Sequence, residues 1–216
     1  MYVPPLHEER DVSALQALID AHPLGTWVTL VEGELTVNHV PFLLHRAQGE
    51  QGALVGHVAR ANGLWMSLRS PTECIVVFHG PQCYISPSWY PSKHAHGKAV
   101  PTWNYAVVHA HGLARAIDDR DWLLAHVSEL TATHEAHQAH RWKVSDAPAD
   151  YIDRMLQGIV GIEISISRLV GKWKVSQNRT DADKLGVVAG LTERSDDLAR
   201  EMAAFVQQQV TGPHRS

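Results

Sequence analysis

The stretch 93–112 of this chain concentrates side chains that bind ligands. It reads KHAHGKAVPTWNYAVVHAHG, with two lysines, four histidines and the cluster Thr102, Trp103 and Asn104 after Pro101. Ammonium and hydroxyl groups hold anions, and large aromatic rings stack on planar ligands. These residue types therefore predict a binding site for a ligand that carries both a flat ring and a negative charge.

Two other segments carry basic side chains that suit an anion. Arg60 and Asn62 follow a predicted strand, where a guanidinium and turn amides can hold a phosphate. The alternative is that Arg60 pairs with an acidic side chain. Lys172, Lys174 and Ser176 alternate along the chain and share one face if the segment is extended. That face suits an anion, although solvated lysines give the same pattern.

The histidine pairs raise the question of a metal site. His109 and His111 leave the same face of a predicted strand, which is a geometry that can place two ligands on a metal. No third ligand is indicated, so no metal is predicted. The segment 134–140 is one residue short of the HExxH zinc motif and is predicted to be a solvated helix end. The argument is weaker still for His94 and His96, which lie in a predicted loop.

Composition limits the classes of function. The chain has 216 residues, 44% of them hydrophobic and 19% charged, which is ordinary for a globular protein. Its net charge of −4 does not call for nucleic acid, because DNA-binding domains are usually basic. There is no P-loop, no GxGxxG and no GxSxG motif. We find no apolar run of membrane-spanning length and no signal peptide, so a cytoplasmic location is expected.

Most of the predicted secondary structure is extended. A Glu32-Gly33-Glu34 turn joins the first two strands into a hairpin, and Gly80-Pro81 is expected to be the turn of a second hairpin. On that arrangement Cys74 and Cys83 lie at different levels of opposing strands, and no disulfide is expected. Strands are predicted at 27–31, 35–44, 53–60, 73–79, 82–86, 103–117 and 160–167.

Four helices are predicted from capping residues that precede apolar side chains at helical spacing. The third of them has Ile152, Met155 and Leu156 on its buried face. The predicted caps are Asp11, Asp118 or Asp119, Asp146 with Pro148, and Ser195. The fold class is mainly β with α additions, in one domain over 1–216, with a helical insertion at about 118–158 and a C-terminal helix at about 195–210. A closed or nearly closed antiparallel barrel is favoured, and a sandwich is the alternative.

Four blocks resemble a known family. GHVARANGLW, YISPSWYPSK, VPTWNYAVVHAHG and GKWKVSQNR are similar to the signature blocks of the PaiB-type FMN-binding negative transcriptional regulators. The resemblance covers the chain from residue 1 to about 191. It implies a split β-barrel related to pyridoxamine-phosphate oxidases, a homodimer with FMN at the subunit interface, and a repressor function.

The alternative functions are a flavin-dependent oxidoreductase and a haem-handling split-barrel protein, since histidines are plentiful. Direct DNA binding is poorly supported, because no basic recognition helix is evident. The resemblance gives no catalytic residue. It implies that Arg60, Asn62 and Lys174 hold the phosphate of FMN. The full set of cofactor-binding residues it implies is His39, Pro41, His57, Ala59, Arg60, Asn62, Thr102, Trp103, Asn104, Lys174, Gln177 and Asn178.

Overall fold

The chain forms two compact units in the computed structural model, which describes residues 1–68 and 70–211 and no side chains for residues 94–96. Unit 1 contains Met1–Leu18, His79–Val108 and the chain from Val170 onward. Unit 2 contains Ile19–Phe78 and His109–Leu169. The single domain over 1–216 stays a prediction.

Eight strands in the described part of the chain form one antiparallel sheet, so the prediction of a mainly β fold with helical additions is confirmed. Their order is β3-β2-β6-β7-β8-β5-β4, and β1 pairs with β8. Three long strands, β6, β7 and β8, pass from one unit into the other. The strands are β1 Glu8–Glu9, β2 Leu24–Val31, β3 Glu34–Pro41, β4 Leu43–His45, β5 Ala53–Ala59, β6 Thr72–Ile85, β7 Thr102–Ile117 and β8 Ile159–Lys174.

The predicted hairpin at Gly80-Pro81 is wrong, because β6 runs straight through both residues. Gly80 is required by close packing and not by a turn. A Cβ added there would lie 2.8 Å from Leu18 Cδ1 and 3.4 Å from Ala106 Cβ. A glycine at a close approach and a glycine in a turn look the same in a sequence.

The β2–β3 hairpin and the alternation in β8 are confirmed. Glu32 and Gly33 turn the hairpin with positive φ values of 51° and 87°. In β8, Ile162 and Ile164 are fully buried while Ser165 is exposed. The core therefore lies on the side of the sheet that the isoleucines face.

Of the four predicted helix caps, two are confirmed and one differs. The remaining helix, α4, begins after Pro148, as predicted, but without a side-chain cap from Asp146. The Asp11 carboxylate accepts a hydrogen bond from Ser13 N at 2.9 Å, and the Asp119 carboxylate accepts one from Trp122 N at 2.7 Å. The last helix is capped by Asp196 and not by Ser195. The Asp196 carboxylate accepts a hydrogen bond from the backbone nitrogen of Ala199, the third residue of that helix. The helices are α1 Val12–Ala21, α2 Pro91–His96, α3 Arg120–Glu135, α4 Ala149–Gln157, α5 Asp181–Thr192 and α6 Asp197–Thr211.

Three helical features depart from the sequence-based expectations. Met155 was expected inside α4, but its side chain is 50% exposed. The segment 91–96 is helical where a loop is predicted, and the side chains of the predicted metal candidates His94 and His96 lie outside the described residues. α5 has no predicted counterpart, because Gly186 and Gly190 interrupt its helical pattern.

The two glycines of α5 leave the space in which Trp89 packs against this helix, inside unit 1; we call this contact the seat of Trp89. A Cβ at Gly186 would lie 2.0 Å from the Trp89 carbonyl oxygen, and a Cβ at Gly190 would lie 2.4 Å from the indole ring. The helix thus holds both the backbone and the ring of Trp89. This contact anchors the segment that precedes α2.

Candidate functional site

The predicted cofactor-binding residues are shared equally between the two units, and each group is described by itself. His39, Pro41, His57, Ala59, Arg60 and Asn62 lie in unit 2, and Thr102, Trp103, Asn104, Lys174, Gln177 and Asn178 lie in unit 1.

In unit 2, Asn62 contacts the strand that carries His39 and Pro41. Asn62 Nδ2 donates a hydrogen bond to Asn38 Oδ1 at 2.7 Å, and the Asn62 side chain in turn accepts one from the backbone of Leu64. His39 and Pro41 are exposed on β3. The turn after β5 and the end of β3 are therefore joined by a polar contact.

The guanidinium of Arg60 is already engaged by protein groups. It binds Asp118 through both terminal nitrogens, at 2.9 and 2.5 Å, and donates to the carbonyls of Gln157 and Ile159. The hydrogen bonds to Arg60 lower the pKa of the Asp118 carboxyl. Four of the five N–H groups of Arg60 are used. A role for Arg60 in phosphate binding stays a prediction, and it requires the pair with Asp118 to open.

His57 faces the helical insertion and contacts a second histidine. His57 Nδ1 lies 3.1 Å from His126 Nε2, and the His126 ring stacks on Trp122. His126 is only 4% exposed, and this burial lowers its pKa to about 4. Burial also lowers the pKa of His57. Both imidazoles are therefore neutral near pH 7, and His126 is a buried polar residue that no motif indicated.

In unit 1, Lys174 lies beside an exposed aromatic ring. Its ammonium donates to the Thr102 hydroxyl and, at 2.8 Å, to the Trp103 carbonyl. The Trp103 side chain is 49% exposed and meets Tyr84 edge to face at 6.4 Å between ring centroids. An oriented cation next to an exposed indole matches the ring-plus-anion ligand that the sequence predicts.

A buried amide lies next to these residues along β7. Asn104 Nδ2 donates to Ser176 Oγ at 2.8 Å, and both side chains are almost fully buried. Asn104 Oδ1 is buried without a hydrogen-bond partner. Turning the amide over would only exchange the unpartnered oxygen for an unpartnered nitrogen. Ser176 has a φ of 67°, a conformation that non-glycine residues adopt at a cost. The pair therefore leaves one buried polar atom without a hydrogen-bond partner.

Gln177 connects this region to a residue that the sequence analysis missed. Its side-chain oxygen accepts from Val175 N at 2.8 Å and lies 3.2 Å from His7 Nδ1, whereas Asn178 is exposed in the same turn. His7 and Gln177 are 170 residues apart in the chain, so spacing gave no signal for their contact.

Unit 2 also carries a surface that we call the apolar sheet face, formed by Leu30, Leu35, Val37 and Leu113. These side chains are between 45% and 75% exposed. Leu30, Leu35 and Leu113 line a cavity of about 590 Å³, and Glu73 and Arg168 contribute opposite charges to its lining. Exposed apolar side chains that lie together in this way are typical of an interaction site.

The described residues contain no group of three His, Cys, Asp or Glu side chains placed to hold a metal ion. His109 and His111 lie side by side on β7 with ring centroids 6.4 Å apart. Burial, and then the charge of Arg168, lowers the pKa of His111. Cys74 and Cys83 are free and buried. None of the described helices has the length and apolar character needed to cross a membrane.

A family model and several known proteins match most of this chain. The model of the family described as "Putative FMN-binding domain" matches residues 1–168. An uncharacterized protein of Emericella nidulans is 33% identical, over 96% of this chain and 97% of its own length. "Protease synthase and sporulation protein PAI 2" of Bacillus subtilis is 27% identical, over 97% of this chain and 98% of its own.

Solved structures share the fold. The FAD and heme binding protein from Mycobacterium smegmatis has a TM-score of 0.58 and 13% identity, covering 78% of this chain and 73% of that one. The flavocytochrome Anf3 from Azotobacter vinelandii has a TM-score of 0.56 and 16% identity, covering 80% and 69%. The predicted split-barrel fold class is confirmed.

Proposed function

Because this chain belongs to the family described as a putative FMN-binding domain, we propose that it is an FMN-containing negative transcriptional regulator that works as a homodimer. FMN is its cofactor, as the sequence predicts, and the resemblance to PaiB-type proteins is confirmed by the Bacillus subtilis relative. The printed name of that relative concerns protease synthesis and sporulation, and it supports the regulatory part of the proposal.

The residues of unit 1 fit the cofactor. The observation that carries this part of the proposal is the buried Asn104 amide with an unpartnered polar atom. Asn104 directly follows the exposed Trp103 in the chain, and the Lys174 ammonium donates to the Trp103 carbonyl. In our proposal Asn104 meets a polar atom of the cofactor, Trp103 contacts its flat ring and Lys174 neutralises negative charge. When bound, FMN supplies one- and two-electron transfer, and the protein supplies binding and orientation.

Flavin titration of the purified protein tests this part. We expect quenching of FMN fluorescence on binding, and Lys174→Met is expected to weaken the dissociation constant by about 10- to 100-fold, since a charge-assisted hydrogen bond contributes about 1.5–3 kcal/mol. Lys143→Met, an exposed lysine of unit 2, is the matched control and should bind FMN normally. Folded protein that neither carries nor binds FMN would refute the proposal.

We propose that regulation does not use a DNA-reading helix. Each of the five described helices of nine or more residues carries more Asp and Glu than Lys and Arg side chains. Such helices repel phosphates, which supply most of the affinity of non-specific DNA binding. Indirect regulation, through the state of the flavin or a partner, is therefore favoured.

Expression profiling with a gel-shift assay tests the regulatory role. Deletion of the gene should raise the expression of target genes, while purified protein should give no salt-sensitive shift of their promoter DNA. A shift that weakens steeply with salt would establish direct DNA contact instead. Unchanged expression on deletion would remove the regulatory role.

We propose that a second copy covers the apolar sheet face. The face exposes four apolar side chains, and the opposite charges of Glu73 and Arg168 can pair across a two-fold axis, as a self-complementary interface requires. Light scattering should give twice the 23.9 kDa of one chain. Leu35→Glu should yield monomers, because the Leu35 side chain is 75% exposed on this face. Met155→Glu, which changes an exposed apolar residue on α4, should leave the mass unchanged; monomeric wild-type protein would refute the dimer.

A further inference from the structure

The protonation of His7 is fixed by its neighbours. The Gln177 side-chain oxygen accepts from Val175 N, and its nitrogen donates to the Trp173 carbonyl, so the amide can lie in one orientation only. His7 Nδ1 lies 3.2 Å from that oxygen and must therefore donate its proton to it. His7 Nε2 then carries the lone pair, and this nitrogen can take up a proton.

Two lysines of β8 create a positive field around this ring. Lys172 lies over the rings of Tyr105 and Tyr2, at 5.3 and 5.9 Å, and donates to the Tyr2 carbonyl. Lys174 is held by Thr102 and Trp103, as described above. Burial lowers the pKa of His7, and the charges of Lys172 and Lys174 lower it further. Three basic groups therefore face the same region of unit 1.

The acids on the neighbouring strand have other partners. Glu8 pairs with Lys172 across the β1–β8 register, but its carboxylate binds Arg10 at 2.6 Å. Glu9 is buried, and its carboxylate accepts from the backbone nitrogens of Arg10 and Asp11. The region thus has the chemistry of an anion site.

We propose that His7, Lys172 and Lys174 form a phosphate-monoester subsite in unit 1, and that His7 takes up a proton from solvent when the phosphate binds. This inference rests on the proposed function, because the phosphate is that of FMN. A bound dianion stabilises the imidazolium and offsets the repulsion from the two ammonium groups. His7 thereby makes the affinity depend on both the phosphate and pH.

The pH dependence of flavin binding tests the subsite. The folded-state pKa of His7 is low without ligand and is raised by the dianion, so affinity is present below the raised pKa and is lost as pH rises through it. Above pH of about 7 the phosphate is mostly dianionic, since its second pKa is near 6. Between about pH 7 and 8 we expect the dissociation constant of FMN to rise by up to about tenfold per pH unit, because one coupled proton gives that maximum slope. Riboflavin, which has no phosphate, should show no such slope.

The variant His7→Asn keeps an N–H donor for Gln177 and removes the titrating group. It should bind FMN with a flat pH profile, while His137→Asn, which changes an exposed histidine beyond the end of α3, should keep the wild-type slope. A slope that persists in His7→Asn, or that is equal for riboflavin, overturns the proposal.

Nuclear magnetic resonance gives a readout that needs no flavin. Titration of His7 with and without inorganic phosphate should show a higher pKa in its presence. If folded protein binds no flavin but phosphate raises the His7 pKa, the proposed function fails and the subsite stands. A His7 pKa that phosphate leaves unchanged refutes the subsite, even if FMN binds elsewhere.

Discussion

The seat of Trp89 on α5 allows one substitution to be predicted in detail. In a helix, Gly→Ala normally stabilises the folded state by about 1 kcal/mol. For Gly190→Ala the new Cβ would lie 2.4 Å from two carbon atoms of the Trp89 ring. Forcing a methyl group into a packed core costs about 1–3 kcal/mol.

The upper part of that range applies because Trp89 cannot retreat easily. Its carbonyl oxygen lies only 2.0 Å from the position that a Cβ of Gly186 would occupy. The backbone and the ring of Trp89 are therefore both in contact with the helix. The clash should lower the free energy of unfolding by about 3 kcal/mol, and the higher helix propensity of alanine should raise it by about 1 kcal/mol. We therefore expect Gly190→Ala to destabilise the protein by about 2 kcal/mol. Urea unfolding followed by circular dichroism measures this free energy.

The same substitution in a Trp89→Ala background separates the clash from the helix effect. Without the indole, Gly190→Ala should stabilise the protein by up to about 1 kcal/mol. Ala189→Gly, at an exposed neighbouring position, should cost about 1 kcal/mol and calibrates the helix propensity of α5. If Gly190→Ala leaves the wild-type protein equally or more stable, Trp89 does not occupy this seat.

Three further outcomes are expected in unfolding experiments. Lowering the pH from 7 to 5 should reduce the free energy of unfolding by about 2 kcal/mol through His126 alone, since its folded-state pKa of about 4 lies below the unfolded value of about 6.5. This stability is present above the unfolded pKa and is lost as pH falls toward 4, so His126→Gln should flatten the urea-unfolding profile across this range. Asp118→Asn should cost less than about 1 kcal/mol in urea, because its pair with Arg60 is solvent-accessible. Gly112→Ala should lower the thermal midpoint strongly, because the new Cβ would lie 2.4 Å from the Ser165 carbonyl oxygen.

Each of these outcomes has a control and a contrary result. His137→Gln should keep the wild-type pH profile, and an unchanged slope in His126→Gln would show that other groups cause the acid sensitivity. A loss above about 2 kcal/mol in Asp118→Asn would mark that pair as structural and not as a surface ion pair. Gly63→Ala, where a Cβ meets only Met66 Cε at 3.4 Å, is the control for Gly112, and equal midpoints would refute the close approach of the two strands.

Local features of the fold were predictable from the sequence. The alternation of β8, the turn at Glu32 and Gly33, and the Asp11 and Asp119 caps depend on neighbouring residues, and the structure agrees with each of them. Predictions failed where a distant contact decides the role of a residue. Gly80 was predicted to be a turn residue, because Leu18 and Ala106, which pack closely against it, lie far from it in the chain.

In the candidate site, too, features carried by local motifs were predictable and contacts between distant residues were not. The blocks of family resemblance identified the cofactor, and the binding role that they imply for the residues around Trp103 stays a prediction. They did not indicate that Arg60 pairs with Asp118, 58 residues away, or that His7 contacts Gln177 across nearly the whole chain. Such contacts have no periodicity, so composition and spacing cannot reveal them.

The passage of β6, β7 and β8 through both units has a consequence for biosynthesis. Unit 2 has all its residues once Leu169 has left the ribosome, whereas unit 1 combines Met1–Leu18 with the chain from Val170 onward. These two distant segments must therefore meet before unit 1 can close. These long-range contacts favour slow folding of unit 1, which cannot be completed before the residues after Val170 are synthesised. A nascent chain stalled before Val170 exposes the incomplete strands to chaperones and proteases.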